Sequence, residues 1–402
     1  MTSFLPDTNK TKRIRHFDVL RGLAILGILL MNIQLYSMTA AAYTNPNALG
    51  TPQWHDYLVW LFNHLVADHK FLTILTILFG VGVAMIGQRT NWDNEVFVPV
   101  HRRRMVLLMV IGGLHTTLLW QGDILFAYGL CGLLLIYFRN LSTGVLIATA
   151  AALFAVPTLI SLILSFAVEQ LPSGEVRELR RAYWIPSSSH LAAEMAIYRG
   201  GWIQTLAERA EMAVTAQAWT MATEKFWRTL GLMLVGVALV RHGVHTWQWN
   251  PWTAARLCVI CTGVAVPLIL SGVLVNEWQE WDFAFSAFLG PMVNYWASPI
   301  MAMGWAALIL WMVSRGIFGW LQRRLEEIGR TALSNYLFQT LICTTLFYGH
   351  GFGWYGQLDR MEQLGVVVMV WALQMAVTHL WLQRFSTGPL EWAWRRAAQA
   401  TP

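Results

Sequence analysis

Charge is what this sequence has least of. Only 12% of its 402 residues are Asp, Glu, Lys or Arg, about half the share of an ordinary soluble domain, and that scarcity excludes a water-soluble globular protein. The net charge of +6 comes from basic residues that flank apolar runs and form no continuous patch, so it is a topology signal and implies no nucleic-acid partner. Cysteine is equally thin: Cys131, Cys258, Cys261 and Cys343 all lie inside apolar segments. Cys258 and Cys261 make a C-x-x-C, but with no second pair and no histidine in the same segment they are read as buried small hydrophobes, and no metal is expected. Short-period repeats are absent too.

What the chain has in quantity is apolar length: 56% of the residues are hydrophobic and the mean hydropathy is +0.46. Ten apolar runs can be placed, near 17–36, 69–88, 104–120, 122–138, 144–168, 226–241, 253–275, 284–313, 330–349 and 363–383. Most approach the ~20 residues that a membrane's hydrocarbon core requires. The expected fold is an all-α polytopic transmembrane bundle, residues 1–402 forming one integral membrane domain. Trp60, Trp120, Trp281 and Trp392 beside these runs read as an interfacial belt. With both termini inside, the cytoplasmic segments carry about twice the Lys and Arg of the other face, which predicts a multi-pass membrane protein with cytoplasmic termini. Lys10, Lys12, Arg13 and Arg15 before an apolar run ending near Ala40 imitate a signal peptide, but that run is too long and too polar for one. Residues 53–66 are too short to cross and predict an interfacial or re-entrant helix. The eighth run is long enough to tilt or break at Pro291 or Pro299. Segment 169–225 predicts an outer loop with a pair of interfacial helices, too small for an independent domain. His242 and His245 fall in an inner connection.

The anomaly is the first run, which contains Asp18, Arg21 and Asn32. On a helix Asp18 and Arg21 lie one turn apart, and Asn32 returns to the same face about 21 Å further along. Ionisable groups facing lipid cost several kcal/mol each, so the stripe predicts a bundle interior or a wet cavity. The bland alternative is an interfacial ion pair with Asn32 as interhelical glue. The spacing D-x-x-R-G here resembles the YeiB-like family of bacterial inner-membrane proteins, itself near the transmembrane acyltransferases that include heparan-glucosaminide N-acetyltransferase and the acyltransferase-3 enzymes. Further stretches carry the likeness: DHKFLTILTILFGVG from Asp68, RRRMVLLMVIGGLHTTLLWQGDILFAYGL from Arg102, Tyr198 to Gly201 with Arg209, IGRTALSNYLFQTLI from Ile328, and FSTGPLEWAWRR from Phe385.

Each stretch holds candidate residues with a plain structural alternative. Asp68 reads as the N-cap of the next helix and Lys70 as a snorkelling lysine, which leaves His64 and His69 unexplained. Arg102, Arg103 and Arg104 read as a topological anchor or as a fork for the phosphates of an acyl-coenzyme A. His115 sits in an apolar interior, where a histidine is a functional candidate by default, against the alternative of a bond to a neighbouring carbonyl. Asp123, in the turn after it, reads as a helix cap. Asn335 and Gln339 share a helix face with Thr331 and read as interhelical glue before substrate contacts.

The family resemblance implies transfer of an acyl group from a cytosolic thioester to an acceptor at the outer face. That chemistry needs a base and a donor to the developing oxyanion. His115, His69, Asp68, Asp123 and Asn32 are the catalytic candidates; Asp18, Arg21, Lys70, Arg102, Arg103, Arg104, Asn335 and Gln339 are the substrate-binding ones. No bound cofactor is expected, acyl-coenzyme A being a co-substrate, and the partners are the bilayer, the donor and the acceptor. One departure weakens direct transfer of roles. The acyltransferase-3 pattern has its catalytic histidine eleven residues after the Arg of R-G, where this chain has Asn32. The glucosaminide pattern has it in the following loop, nearest to Tyr43. A base must then come from His55, His64, His69 or His115. The alternative of another class is a transporter or flippase for a small or lipid-linked solute using the same polar residues as a path.

Overall fold

A backbone in hydrocarbon must satisfy its own hydrogen bonds, and the apolar runs do so as helices. The computed structural model describes residues 15–244 and 250–399; Lys10, Lys12, Arg13 and His245 lie outside the described residues. Among these the chain is helical throughout apart from turns and one isolated bridge between Ala48 and Gly50. The first helices are α1 (Arg15–Ser37), α2 (Ala41–Thr44), α3 (Trp54–Val66), α4 (Lys70–Arg89), α5 (Phe97–Leu114) and α6 (Leu125–Phe138). Then come α7 (Thr143–Glu169), α8 (Ser173–Tyr183), α9 (Ser188–Arg199), α10 (Leu206–Thr220), α11 (Phe226–Arg241) and α12 (Pro251–Trp278). The chain closes with α13 (Phe283–Ser286), α14 (Met292–Arg315), α15 (Gly319–Arg330), α16 (Ala332–Phe347), α17 (Arg360–Arg384) and α18 (Pro389–Gln399). Two π-turns interrupt this series: His115–Leu119 extends α5, and Met221–Lys225 joins α10 to α11.

Every one of the ten apolar runs forms a helix, and six stretches are long and apolar enough to cross a membrane: α1, α3 with α4, α7, α12, α14 and α17. The chain is a multi-pass helical membrane protein. Its axis is α1, with 78% of its apolar window buried against 22% for α7 and 28% for α12. The peripheral helices therefore turn most of their apolar surface outward, where lipid covers it, while α1 is enclosed by α4, α14, α15, α16 and α17.

One expectation is revised and two are made definite. The segment 169–225 holds three helices, α8, α9 and α10, where a pair was expected. The added one, α8, is rich in charge and buries no residue, so it carries no apolar run to read. The eighth run breaks at Pro291, which stands before α14, whereas Pro299 lies within that helix. Proline at 299 cannot donate to the Tyr295 carbonyl, and the Ser298 hydroxyl donates to it instead at 2.9 Å. Residues 54–66 form α3 and turn directly into α4, with Trp60 packed edge-on to Trp281 at 5.6 Å.

The glycine of D-x-x-R-G has a packing reason. A Cβ on Gly22 would lie 1.9 Å from the Leu325 carbonyl oxygen, and one on Gly329 would lie 1.8 Å from that of Asp18. Helices α1 and α15 thus touch backbone to backbone, the contact that small residues allow between membrane helices. Gly329→Ala should lower the melting temperature of the detergent-purified protein, since overpacking costs about 1–3 kcal/mol. Gly82→Ala, where a Cβ meets open space, should leave it unchanged; equal shifts for the two variants would refute the close crossing.

Candidate functional site

The polar residues of the bundle gather at the end where α1 finishes and α4 begins, and irregular backbone positions them. The turn from α3 to α4 is the first such place. His69 precedes α4 in the left-handed region at φ 62°, a conformation that costs a non-glycine residue about 1 kcal/mol or more. It makes no side-chain cap. Asp68 is therefore not the N-cap of α4, and its carboxylate turns inward because a buried cation stands there. Lys70, predicted to snorkel, is wholly enclosed at 0% exposure. Its ammonium donates to the His64 carbonyl and to the Asn294 side-chain oxygen. The Asn294 amide then donates to Asp68 Oδ2 at 2.8 Å.

Asp68 accepts three bonds in all. The Tyr43 hydroxyl donates to Oδ1 at 3.0 Å, and His64 Nδ1 lies 3.2 Å from Oδ2. Burial and this carboxylate push the Tyr43 phenol well above its ordinary pKa, so it remains a donor. His69 Nε2 lies 3.8 Å from Oδ1, while its Nδ1 faces the Arg228 guanidinium. A guanidinium only donates, so Nδ1 accepts and the ring proton sits on Nε2, toward Asp68. Arg228 is itself buried: it donates to Thr73 Oγ1 at 2.9 Å and Ser298 Oγ at 2.8 Å, pairs with Glu224 at 3.4 Å and lies over the Tyr295 ring at 4.9 Å.

The second centre is built on the π-turn at the end of α5. The wide turn carries His115, 2% exposed, with Nδ1 2.8 Å from Asp123 Oδ1. Asp123 is fully buried and its other oxygen accepts from the Phe126 amide at 2.8 Å. The N-cap of α6 is Ile124; Asp123, one residue earlier, holds a first-turn amide with Oδ2 and orients the histidine with Oδ1. With the carboxylate accepting from Nδ1, the imidazole tautomer that fits has its proton on Nδ1 and the lone pair on Nε2. That lone pair faces Thr340 Oγ1 at 2.9 Å, and Thr340 in turn meets the Tyr36 hydroxyl at 2.7 Å. In that tautomer the donors run from Tyr36 to Thr340, Thr340 to His115 and His115 to Asp123. Tyr36 stacks on Trp120 with ring centroids 4.1 Å apart. The other π-turn connects the two centres, since Glu224 pairs with Arg228 while the adjacent Lys225 donates to the Asp123 carbonyl at 3.1 Å and to Gln217 at 2.8 Å. π-Turns are rare and frequent at functional sites.

The remaining candidates lie elsewhere. Asp18 and Arg21 pair at 2.7 Å at the opposite end of α1. Asn32 is only half-buried, and the α1 residue joined to His115 is Tyr36. The stripe of Asp18, Arg21 and Asn32 therefore does not converge on His115: a shared helix face puts residues on one line, but that line runs past different neighbours at its two ends. Arg102 and Arg103 are exposed, whereas Arg104 lies 4.6 Å from the Trp394 ring centroid. Asn335 and Gln339 belong to a buried network with Thr331, Gln374, Thr378 and the Ile25 carbonyl, at 2.8–3.2 Å. It joins α16 and α17 to α1. His55, Asp56 and Asp359 bring ligand atoms within 4.8 Å of one another, but both carboxylates hold backbone amides at the start of α17.

Sequence reasoning passed over Tyr36, Thr340, Glu224 and Arg228. Of these only Arg228 carried a signal, a cation inside the first turn of an apolar helix.

Comparison with known proteins places the chain. The uncharacterized protein YeiB of Escherichia coli (strain K12) is 34% identical over 388 residues, 94% of this chain and 94% of that one. The chain belongs to the YeiB-like family. A second relative, the uncharacterized protein YxaH of Bacillus subtilis (strain 168), is 26% identical over 413 residues, 98% of this chain and 96% of its own. A third, an uncharacterized 39.9 kDa protein in the amylase 3′ region of Bacillus acidopullulyticus, is 25% identical over 393 residues, 96% of this chain and 93% of its own. A family model described as a protein of unknown function, DUF418, matches residues 239–401. That region carries Asn294, Ser298 and Thr340, while the likeness to YeiB-like proteins extends over nearly the full length. No solved structure matches the chain significantly.

The relay through Thr340 makes a stability prediction. Thr340→Val removes the hydroxyl between two buried polar groups and should cost about 1–3 kcal/mol, read as a drop in melting temperature. Thr345→Val, at an exposed hydroxyl on the same helix, should cost little. Equal shifts for the two would remove the relay from the structural account.

Proposed function

We propose that the protein is a membrane-embedded acyltransferase that moves an acyl group from a cytosolic thioester to an acceptor at the outer face. The observation that supports this reading is the buried chain of Asp123, His115 and Thr340, at 2.8 and 2.9 Å. A carboxylate that fixes one imidazole nitrogen as donor and leaves the other as base toward a hydroxyl is the arrangement that activates hydroxyls for acyl transfer. In the reaction an acceptor hydroxyl or amine takes the place of Thr340 on Nε2 and gives up its proton as it attacks the thioester carbonyl. The imidazolium, held by Asp123, returns that proton to the departing thiolate. Tyr36, one hydrogen bond beyond, replaces Asn32 as the α1 donor available to the developing oxyanion.

In this reading acyl-coenzyme A is the co-substrate, its phosphates on the exposed Arg102 and Arg103. The thioester then reaches about 18–20 Å along α5 to His115, at about 1.5 Å per residue. The termini are cytoplasmic in a bacterial inner membrane, so the end carrying His115 faces outward. A second reading, a transporter for a small or lipid-linked solute, draws on the enclosed Lys70, Asn294, Asp68 and Arg228, since buried ionisable groups in membrane helices mark solute and proton paths.

The test is turnover of labelled acetyl-coenzyme A by the full chain in vesicles. His115→Gln should lower turnover about 10²–10⁴-fold, the usual contribution of a positioned base, with donor binding unchanged. Solute movement without release of free thiol would favour the transporter, and unaltered turnover in His115→Gln would remove the base. Separately, a reporter enzyme fused to the C-terminus should be active only on the cytoplasmic side; activity on the outer side would invert the assignment of faces.

A further inference from the structure

Beside the His115 relay lies a cavity lined by Thr116, Trp120, Gln121, Tyr198, Arg209 and Tyr348, among others. It is small, about 10 Å³ for the centre of a water and hence room for about one water molecule. Its lining holds one cation and no carboxylate. Arg209 is 8% exposed and forms no ion pair with a carboxylate among the described residues. Its Nη2 donates to the Trp202 carbonyl at 3.1 Å, and its cation stands 5.8 Å from the Tyr348 ring centroid. Its Nε–H, however, is buried and meets no acceptor. The same is true of the Trp120 indole N–H and the Thr116 hydroxyl.

Buried donors are nearly always satisfied, and an unpaired buried guanidinium is the costliest of them to leave bare. Three unmet hydrogen-bonding groups around one cavity, one of them cationic, ask for an acceptor that carries negative charge. The location adds to the case. Thr116 follows His115 in the π-turn, and Trp120 closes that turn while stacking on Tyr36. A group held by Arg209 therefore sits next to the relay and on the side of α9 and α10, away from Arg102 and Arg103.

We propose that this cavity is an oxyanion subsite that takes a carboxylate or a phosphate ester, with Arg209 as its cation and Thr116 and Trp120 as supporting donors. The occupant's identity as the anionic group of the acyl acceptor rests on the reading of His115 as the transfer base; the subsite itself does not. Binding widens the cavity, since either anion is larger than one water. The carboxylate or phosphate accepts from Arg209 Nε, fixing the rest of the molecule toward Thr340.

The experiment is binding by the full chain in nanodiscs of zwitterionic lipid, with acetate and inorganic phosphate as soluble probes and phosphatidylglycerol mixed into the disc as the lipid probe. Saturable stabilisation of the wild type by a soluble anion assigns a free acceptor, and stabilisation by phosphatidylglycerol alone assigns a lipid headgroup. Arg209→Gln should weaken binding roughly ten- to hundredfold, the worth of a hydrogen bond to a charged group. Thr116→Val, a near-isosteric change, should weaken it by less, and it carries the test if Arg209→Gln does not fold. His115→Gln should bind as the wild type does. Full binding in His115→Gln without acyl turnover in the wild type would keep the subsite and discard the transferase. Equal binding in wild type, Arg209→Gln and Thr116→Val, or no saturable response to any probe by the folded wild type, would overturn the proposal.

Discussion

A carboxylate cannot be left alone inside a membrane bundle, and the architecture at one end of this protein follows from supplying Asp68 and Asp123 with partners. Desolvating an ion costs several kcal/mol even after relaxation, and only close opposite charge with satisfied lone pairs offsets it. Asp68 has Tyr43, His64 and Asn294 as contacts, with Lys70 one residue beyond on the far side of the Asn294 carboxamide. Asp123 has His115 on one oxygen and the Phe126 amide on the other. These partners come from five helices and one π-turn, so satisfying two acids orders the whole mouth of the bundle.

Regular helices could not deliver those groups. An α-helix places side chains at fixed angles, and its interior backbone offers no spare polar group. At this end the chain departs from that geometry three times, in the left-handed His69 and in the π-turns at 115–119 and 221–225. Each departure redirects a titratable side chain: His69 toward Asp68 and Arg228, His115 toward Thr340, and Glu224 and Lys225 toward separate centres. Backbone irregularity of this kind persists only where surrounding contacts hold it, and here the same ion pairs and hydrogen bonds that need the irregularity also fix it.

The legible part of the fold was the part written in local pattern. Ten apolar runs became ten helices because the length of an apolar run reports a membrane helix directly. The partnership of His115 with Asp123, eight residues apart across a turn, was within reach of the same local reading. Thr340 and Tyr36 were not. They lie 225 and 304 residues from the groups they bond, and Thr and Tyr are ordinary in membrane helices. Lys70 misled for a related reason: a lysine at a helix end has the length to snorkel, and only the approach of α14, bringing Asn294, makes inward burial cheaper. The charge-rich stretch that became α8 was invisible because its polarity leaves no apolar period to count.

The same distinction explains why the D-x-x-R-G signature, the most recognisable motif, is the least informative about chemistry. Its glycine lets α1 and α15 touch through their backbones, and its Asp18 and Arg21 satisfy each other at 2.7 Å. Those roles fix the position and rotation of α1 along its whole length. Rotation at the Gly22 end determines where Tyr36 points some four turns later, at 3.6 residues per turn, and Tyr36 is the α1 residue that completes the His115 relay. A motif at one end of the axis thus governs the end that carries His115 without contacting it, and its physical content is orientation.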